Sequence, residues 1–275
     1  MDIRLPKYSV LMSLYQGEKP EYLRQALDSM MAQTYLPSEI VIVKDGLLPD
    51  ELNAVLNEYQ SKYANVMRIV GYSDNRGLGK ALNYGIDICK NEYIARMDTD
   101  DISKPERCEK ELLFLLSNPP ICGVGSWVDE FEGDPTNVIS TRRVPIEQKD
   151  IYKFCKRRNP FNHPSMMYKK SAVTSVGGYS SLRYGQDYDL FGRLLINGYL
   201  LSNIPESLLY FRTGSNAIRR RKNKQSIKCY IDTVKYFNKM HYSSVFDVLY
   251  VEISQMLLYI LPETIVKRIY KVVRK

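Results

Sequence analysis

The chain has little of what marks a secreted, membrane-spanning or thiolate-metal protein. Its five cysteines, Cys89, Cys108, Cys122, Cys155 and Cys229, are scattered, odd in number and never in a C-x-x-C spacing. They read as buried free thiols of a reducing compartment, which argues against a disulfide frame or a zinc site. The start, Met1-Asp2-Ile3-Arg4-Leu5-Pro6, lacks the apolar run of a secretory signal. No window of about 18 residues is apolar without a charge, so no transmembrane helix is expected. These absences together predict a cytoplasmic protein.

What is present is an ordinary globular composition, 44% hydrophobic and 25% charged over 275 residues. That length suits one large α/β domain with an appendage, or two small domains. The net charge of +8 becomes informative once located. Residues 219–275 hold 13 Lys and Arg against 4 Asp and Glu, whereas residues 1–218 hold 26 against 27. The basic character belongs to the tail.

Residues 8–15 form a β-rich apolar run ended by Gln16-Gly17-Glu18-Lys19-Pro20. Over 21–33, Tyr22, Leu23, Ala26, Leu27, Met30 and Met31 recur at helical spacing, with Pro20 suited to the first turn. A strand at 39–43, a helix at 50–63, a strand at 66–70, a helix at 78–89 and a strand at 92–97 continue the alternation. Four strand–helix alternations predict a mostly parallel sheet with helices on both faces and ligands at the carboxyl ends of the strands. Further on, helices are expected at 105–117 and from about 187, and strands at 121–128, 138–143 and 208–212.

The last of the first four strands ends abruptly in Met97-Asp98-Thr99-Asp100-Asp101. A like-charged pair about 4 Å apart costs about 4 kcal/mol at an effective dielectric near 20, so something positive should sit there. Mg²⁺ or Mn²⁺ with a phosphate ligand fits, because these ions take one or two carboxylates plus phosphate oxygens. A solvated acidic turn capping the next helix is the other reading. Asp45, at the end of the second strand, should rise from the same sheet edge.

Between these acids lies Asn75-Arg76-Gly77-Leu78-Gly79-Lys80-Ala81. It is not a Walker A loop, since position 74 is Asp and position 81 is Ala, and it has no third glycine for a dinucleotide fingerprint. It reads as a loop into a helix N-terminus, with Arg76 and Lys80 either serving an anion or simply exposed. His163, in Asn162-His163-Pro164-Ser165, is either a hydrogen-bonding loop residue or a participant in chemistry. Asp187, in Gly185-Gln186-Asp187-Tyr188, stands at a helix start, where it serves as a cap or as a general base toward a hydroxyl.

The segments at 8–15, 40–46, 75–81, 96–101, 162–165, 177–179 and 186–190 follow one another as in the family 2 glycosyltransferases of GT-A fold. The chain resembles most the bacterial enzymes that build capsule, O-antigen or exopolysaccharide chains. The resemblance covers residues 8 to about 215, and it rests on the order of seven segments rather than on any one. It implies an α/β GT-A fold: a Rossmann-like sheet, a smaller antiparallel acceptor-side region and a C-terminal helical tail. The implied division is a catalytic domain at 1–218, split into a nucleotide-sugar half (1–104) and an acceptor half (105–218), with a tail at 219–275.

By the same resemblance, Asp45 and Asp98 hold the uracil and ribose side of a nucleotide-sugar, with UDP expected, and Arg76 and Lys80 lie near the nucleotide. Asp100, with Asp101, brings Mn²⁺ or Mg²⁺ to the diphosphate, and Asp187 is the base of an inverting transfer. His163, Gln186, Tyr188 and Arg212 are expected as acceptor-side or supporting residues. Two departures stand out: the family's Glu before the base is Gln186, and its Asp before Asp45 is Lys44. A metal-ligating histidine found in some relatives has no match near 212–216.

The tail reads as helices at 224–241 and 244–261, then a resumed pattern at 263–275. Val245, Val248, Leu249, Ile253, Met256, Leu257 and Ile260 form one stripe, and Lys267, Arg268, Lys271, Arg274 and Lys275 add charge beyond it. Such a stripe with basic flanks suits an anionic bilayer surface, placing the protein peripherally on the inner face of the cell membrane. Packing on the catalytic domain or on another subunit is the alternative. Rival functions are a sugar nucleotidyltransferase, a nucleic-acid-binding protein using the tail, and a silent relative acting as a subunit. The first lacks its glycine-rich loop after strand one, the second an aromatic platform among its basic residues, and the third does not explain the retained acids.

Overall fold

A strand covered on both faces must be apolar nearly throughout, and β1 (Tyr8–Leu14) is buried at six of its seven positions. It pairs in parallel with β2 (Glu39–Asp45) on one side and β4 (Tyr93–Arg96) on the other, and β3 (Met67–Tyr72) extends the sheet beyond β2. Helices α1 (Pro20–Met31), α2 (Asp50–Lys62) and α3 (Leu78–Ile88) make the crossovers. The computed structural model describes residues 5–214 and 221–266. Strand order reverses beside β1, since β2 and β3 lie on one flank and β4 on the other. A crevice opens at such a switch point, beyond the carboxyl ends of the strands.

The second half adds β5 (Ile102–Ser103), α4 (Arg107–Ser117), β6 (Ile121–Phe131), β7 (Val138–Arg142), α5 (Gln148–Cys155), β8 (Met167–Lys169), α6 (Lys170–Ser175), α7 (Gln186–Ile196) and β9 (Leu200–Arg212). β8 joins the halves by running antiparallel to both β4 and β6. β7 is antiparallel to β6, β5 is antiparallel to β9, and β6 and β9 are parallel. The result is one sheet, ordered β3-β2-β1-β4-β8-β6-β9-β5, with β7 beside β6.

The short strand expected at 208–212 is the end of a 13-residue one. Pro205 hid its first part, because a proline cannot donate to a ladder. The register passes from Ser126–Ile204 to Trp127–Ser207, so Pro205 falls in an irregularity that spares it that bond.

The tail forms α8 (Lys224–Lys239) and α9 (Val245–Ile260). Asn223 caps α8 and a Ser244–Asp247 capping box starts α9. Val234, Phe237, Tyr242 and Val251 join the core that holds Leu190, Phe191 and Leu194 of α7. The Phe237 ring lies on Gly192, where a Cβ would come within 1.9 Å of Phe237 Cζ.

Of the stripe read on α9, Val248 packs against the core, beside Val251, whereas Val245, Leu249, Ile253, Met256, Leu257 and Ile260 are exposed, as are Phe246 and Tyr250. Among the described residues no helix is long and apolar enough to cross a membrane. Arg219, Arg220, Lys267, Arg268, Lys271, Arg274 and Lys275 lie outside the described residues.

Candidate active site

The carboxyl end of β4 is held from three sides. Arg96 N–H donates to the Met166 carbonyl at 2.8 Å, Met97 N–H to the Leu11 carbonyl at 3.1 Å, and Arg107 Nη2 to the Arg96 carbonyl at 2.7 Å. Arg107 is itself buried and paired with Glu111 at 3.0 Å. Beyond this clamp, Asp98, Asp100 and Asp101 present carboxylate oxygens within 4.8 Å of one another.

The charges around them are unequal. The Arg96 side chain, 1% exposed, pairs with Asp98, while its Nε and Nη1 have no hydrogen-bond partner among the described residues. Asp101 Oδ1 accepts from the Arg212 backbone N–H at 2.7 Å, and Arg212 Nε donates to the Asp100 carbonyl at 2.7 Å. The Arg212 guanidinium lies over the Tyr22 ring (3.9 Å) and the Phe131 ring (4.5 Å), so β9 seals one side of the cluster. Glu18, on the loop after β1, accepts from the Thr99 hydroxyl at 2.8 Å.

Burial first, then Asp98 and Glu18, pushes the Asp100 carboxyl up to about 7. Burial, then Asp100 and Asp98, raises Asp101 as well. A set of hard oxygen donors carrying more negative charge than its cations offset fits a divalent ion such as Mg²⁺ or Mn²⁺. Asp101 is the deepest, 1% exposed, and its Oδ2 has no hydrogen-bond partner among the described residues; Asp98 is 32% exposed and reaches solvent.

Asp45 ends β2 at the same sheet edge, and its carboxylate accepts from the backbone N–H groups of Arg76 (2.7 Å) and Gly77 (3.0 Å). It thereby shapes the turn at Gly77, whose φ of +92° suits glycine. Arg76 stacks on Tyr72 at 4.5 Å, and Arg76, Lys80, Tyr72 and Tyr84 line a groove of about 340 Å³ beside β3. Lys80 and Arg76 thus share one surface. Arg183, just before α7, reaches Asn75 at 3.3 Å and links the two loops.

On the other side, Asp187 lies in the first turn of α7, after Gly185 in the left-handed conformation. Asn159 Nδ2 donates to Asp187 Oδ2 at 2.8 Å. Burial raises the Asp187 carboxyl; the backbone N–H groups of Tyr188 and of Asp187 itself, then Arg96, pull it down, and Asp98 pushes it up. Gln186 is buried against Gly79 of α3. His163 shares a 2.8 Å hydrogen bond with the Tyr179 hydroxyl, and burial, then Arg96, holds its ring well below the usual imidazole range, hence neutral. Tyr188 turns away from the cluster, donating to the Cys155 carbonyl at 2.7 Å and packing on Tyr230 and Phe237.

Sequence reasoning missed Arg96, Glu18 and Asn159. A signal existed for Arg96, a charge inside an apolar strand that leads into three acids. Asn159 and Glu18 act across long sequence separations and carried none.

A parallel first half, a mixed second half and carboxylates at the switch point define a GT-A glycosyltransferase fold. The chain belongs to glycosyl transferase family 2, whose family model matches residues 9–177. It is 40% identical to the amylovoran biosynthesis glycosyltransferase AmsE of Erwinia amylovora over 223 residues, 80% of this chain and 82% of that one. It is 35% identical over 269 residues to the UDP-Gal:alpha-D-GlcNAc-diphosphoundecaprenol beta-1,3-galactosyltransferase of Escherichia coli, covering 97% and 96%.

Among solved structures, Staphylococcus aureus TarS 1-349 in complex with UDP-GlcNAc matches with a TM-score of 0.66 at 14% identity, covering 92% of this chain and 70% of that one. The chain spans 44% of the longer TarS chain. The mannosyltransferase PcManGT of Pyrobaculum calidifontis, in complex with GDP-Man and Mn2+, matches with a TM-score of 0.64 at 14% identity, covering 93% and 74%. Family membership makes the chain a glycosyltransferase and not a sugar nucleotidyltransferase.

Proposed function

We propose that the chain is a metal-dependent, inverting glycosyltransferase of bacterial surface-polysaccharide synthesis. It moves a sugar from a UDP-sugar to a hydroxyl of a glycan or lipid-linked acceptor. The observation that carries this reading is the trio Asp98, Asp100 and Asp101, gathered within 4.8 Å at the switch-point end of β4. The UDP and lipid-linked acceptor assignments draw support from the name of the Escherichia coli relative and from the UDP-GlcNAc complex of TarS. The polysaccharide assignment draws on AmsE, and the metal on the Mn2+ complex of PcManGT.

In this reading Asp100, with Asp101, holds the ion, Asp98 meets the ribose end of the donor, and Asp101 also fixes Arg212 through its backbone N–H. A bound Mg²⁺ or Mn²⁺ supplies Lewis-acid charge that offsets the charge growing on the leaving diphosphate. Asp45 shapes the loop that meets the uracil, with Arg76 and Lys80 as the basic groups nearest the nucleotide. Asp187 takes the proton from the acceptor hydroxyl as that oxygen attacks the anomeric carbon opposite the departing UDP, so one displacement inverts the configuration. His163, Gln186 and Tyr188 support the acceptor side. Residues 1–104 serve the donor and 105–218 the acceptor.

The tail serves the acceptor's location. The outward face of α9 places Phe246, Leu249, Tyr250, Ile253, Met256 and Ile260 toward solvent, next to a segment rich in Lys and Arg. We assign this face to the surface of an anionic membrane, the inner face of the cell membrane, where a lipid-linked acceptor is held.

The test is a panel of nucleotide-sugars screened for Mn²⁺-dependent hydrolysis and thermal stabilisation. One UDP-sugar should respond well above the rest. Asp187→Asn should then bind UDP normally and lose about 10²–10⁴-fold in transfer rate. Near-normal transfer by Asp187→Asn removes the base assignment, and full metal-dependent turnover by Asp100→Ala removes the metal assignment.

A further inference from the structure

Asn159 lies 28 residues before Asp187, on the loop that follows α5, yet its amide donates to Asp187 Oδ2 at 2.8 Å. The other end of the same amide accepts from the Phe161 backbone N–H at 3.1 Å. An amide has one accepting oxygen and one donating nitrogen, so engagement of the oxygen by Phe161 turns the NH₂ toward the carboxylate. The loop is fastened to the helix it serves: the Phe161 ring meets Phe191 of α7 edge-on, centroids 5.0 Å apart. Asn203 Nδ2, from β9, holds the Pro160 carbonyl at 3.1 Å. Asn159 and Asp187 are thus positioned by one packed unit.

We propose that Asn159 is a positioning residue for Asp187. It occupies Oδ2, favours the ionised carboxylate and directs Oδ1 to the acceptor hydroxyl. The proposal rests on the reading of Asp187 as the base. The groups facing this carboxylate are the backbone N–H groups of Tyr188 and of Asp187 itself, Arg96 and Asp98 from the end of β4, Tyr179 from the turn before α7 and the neutral Gln186 beside it. Asn159 adds a donor to a site where burial works against charge, and a hydrogen bond to the ionised form counters that penalty. With a neutral residue at 186 and a neutral donor at 159, the carboxylate that bears on Asp187 is Asp98.

The experiment compares Asn159→Asp and Asn159→Ala with the unaltered full chain. Asn159→Asp keeps the size and the oxygen that the Phe161 N–H needs, but sets a carboxylate oxygen where the donor stood. Asn159→Ala removes both ends. The first readout is a ¹³C NMR titration of aspartate carboxyls in metal-free protein, with the Asp187 signal identified by its loss in Asp187→Asn. The second is UDP release at pH 6 and pH 8 with the donor found in the panel.

The Asp187 midpoint should rise by about one unit in Asn159→Ala and by more in Asn159→Asp, where two carboxylates face each other. Turnover should fall more at pH 6 than at pH 8, with donor KM unchanged. An unmoved midpoint in Asn159→Asp, or equal losses at both pH values, overturns the proposal and leaves Asn159 a turn former only. Should Asn159→Ala fail to fold, Asn159→Asp carries the test. Active Asp187→Asn would instead sink the base reading, which the titration does not depend on.

Discussion

Arg96 and Asp98 form an ion pair at the end of β4, with the guanidinium buried and the carboxylate reaching solvent. The cation therefore lies beneath the acidic cluster, where it offsets part of the charge that Asp98, Asp100 and Asp101 bring together. Its Nε and Nη1 have no hydrogen-bond partner among the described residues, so its burial is costly in itself. It is retained where three carboxylates need a fixed counter-charge before any ligand arrives.

Arg96→Met should therefore destabilise the metal-free protein. Removing one partner of a fully buried pair costs about 3–5 kcal/mol, and the exposure of Asp98 reduces this to about 2 kcal/mol. Urea unfolding in chelator measures it. An unchanged midpoint would mean that the cluster does not need the cation.

The pH dependence of metal binding follows from Asp100, whose carboxyl is pushed up to about 7 by burial, then by Asp98 and Glu18. Its folded value lies above its unfolded one, so between about pH 4 and 7 the folded protein holds a proton that the unfolded chain has released. Stability of the metal-free protein from this group falls as pH rises through that window and levels off above it. A divalent ion binds the ionised form and must displace the proton below pH 7. Mn²⁺ affinity should weaken by about tenfold per pH unit there for a one-proton exchange. Calorimetry in buffers of different ionisation enthalpy should register the released proton, and Mn²⁺ should raise Tm more at pH 8 than at pH 6.

Where the sequence was readable, one kind of signal was strong enough. β1, β2 and β4 are buried on both faces, so their apolar runs stood out, and an acid run directly after such a strand marked a strand end at the switch point. α5 and α6 were missed because helices of 8 and 6 residues are too short to show a period. The first half of β9 was masked by Pro205. Asn159 and Glu18 could not be read at all, because their hydrogen bonds to Asp187 and Thr99 join segments that only the folded sheet brings together. Arg96 was visible but silent, since its meaning depends on burial.

The joint between tail and body can be tested at Gly192. A methyl group there would lie within 1.9 Å of Phe237 Cζ, a distance that no rotamer adjustment of a few tenths of an ångström relieves. Gly192→Ala should cost about 1–3 kcal/mol through overpacking. Adding Phe237→Leu should recover part of that loss, because the two sites share one contact. Thermal unfolding of the two single variants and the double variant gives the coupling, and additive losses would mean that α8 does not depend on this contact.

The outward face of α9 yields the last prediction. Phe246 is 79% exposed and Ile253 is 59% exposed, so changing both to Asp should leave the fold intact. If this face lies in a bilayer surface, each side chain contributes about 1.5–3 kcal/mol of burial. The double variant should then lose at least about 10²-fold in partitioning to phosphatidylglycerol vesicles, while UDP binding is unchanged. Vesicles of phosphatidylcholine alone should bind even the unaltered chain weakly, because the Lys and Arg of the tail then find no anionic partner. Undiminished vesicle binding by the double variant would remove the bilayer assignment. A dimer that the same two changes dissociate would assign the face to a second copy, because that stripe would then be covered by protein instead of lipid.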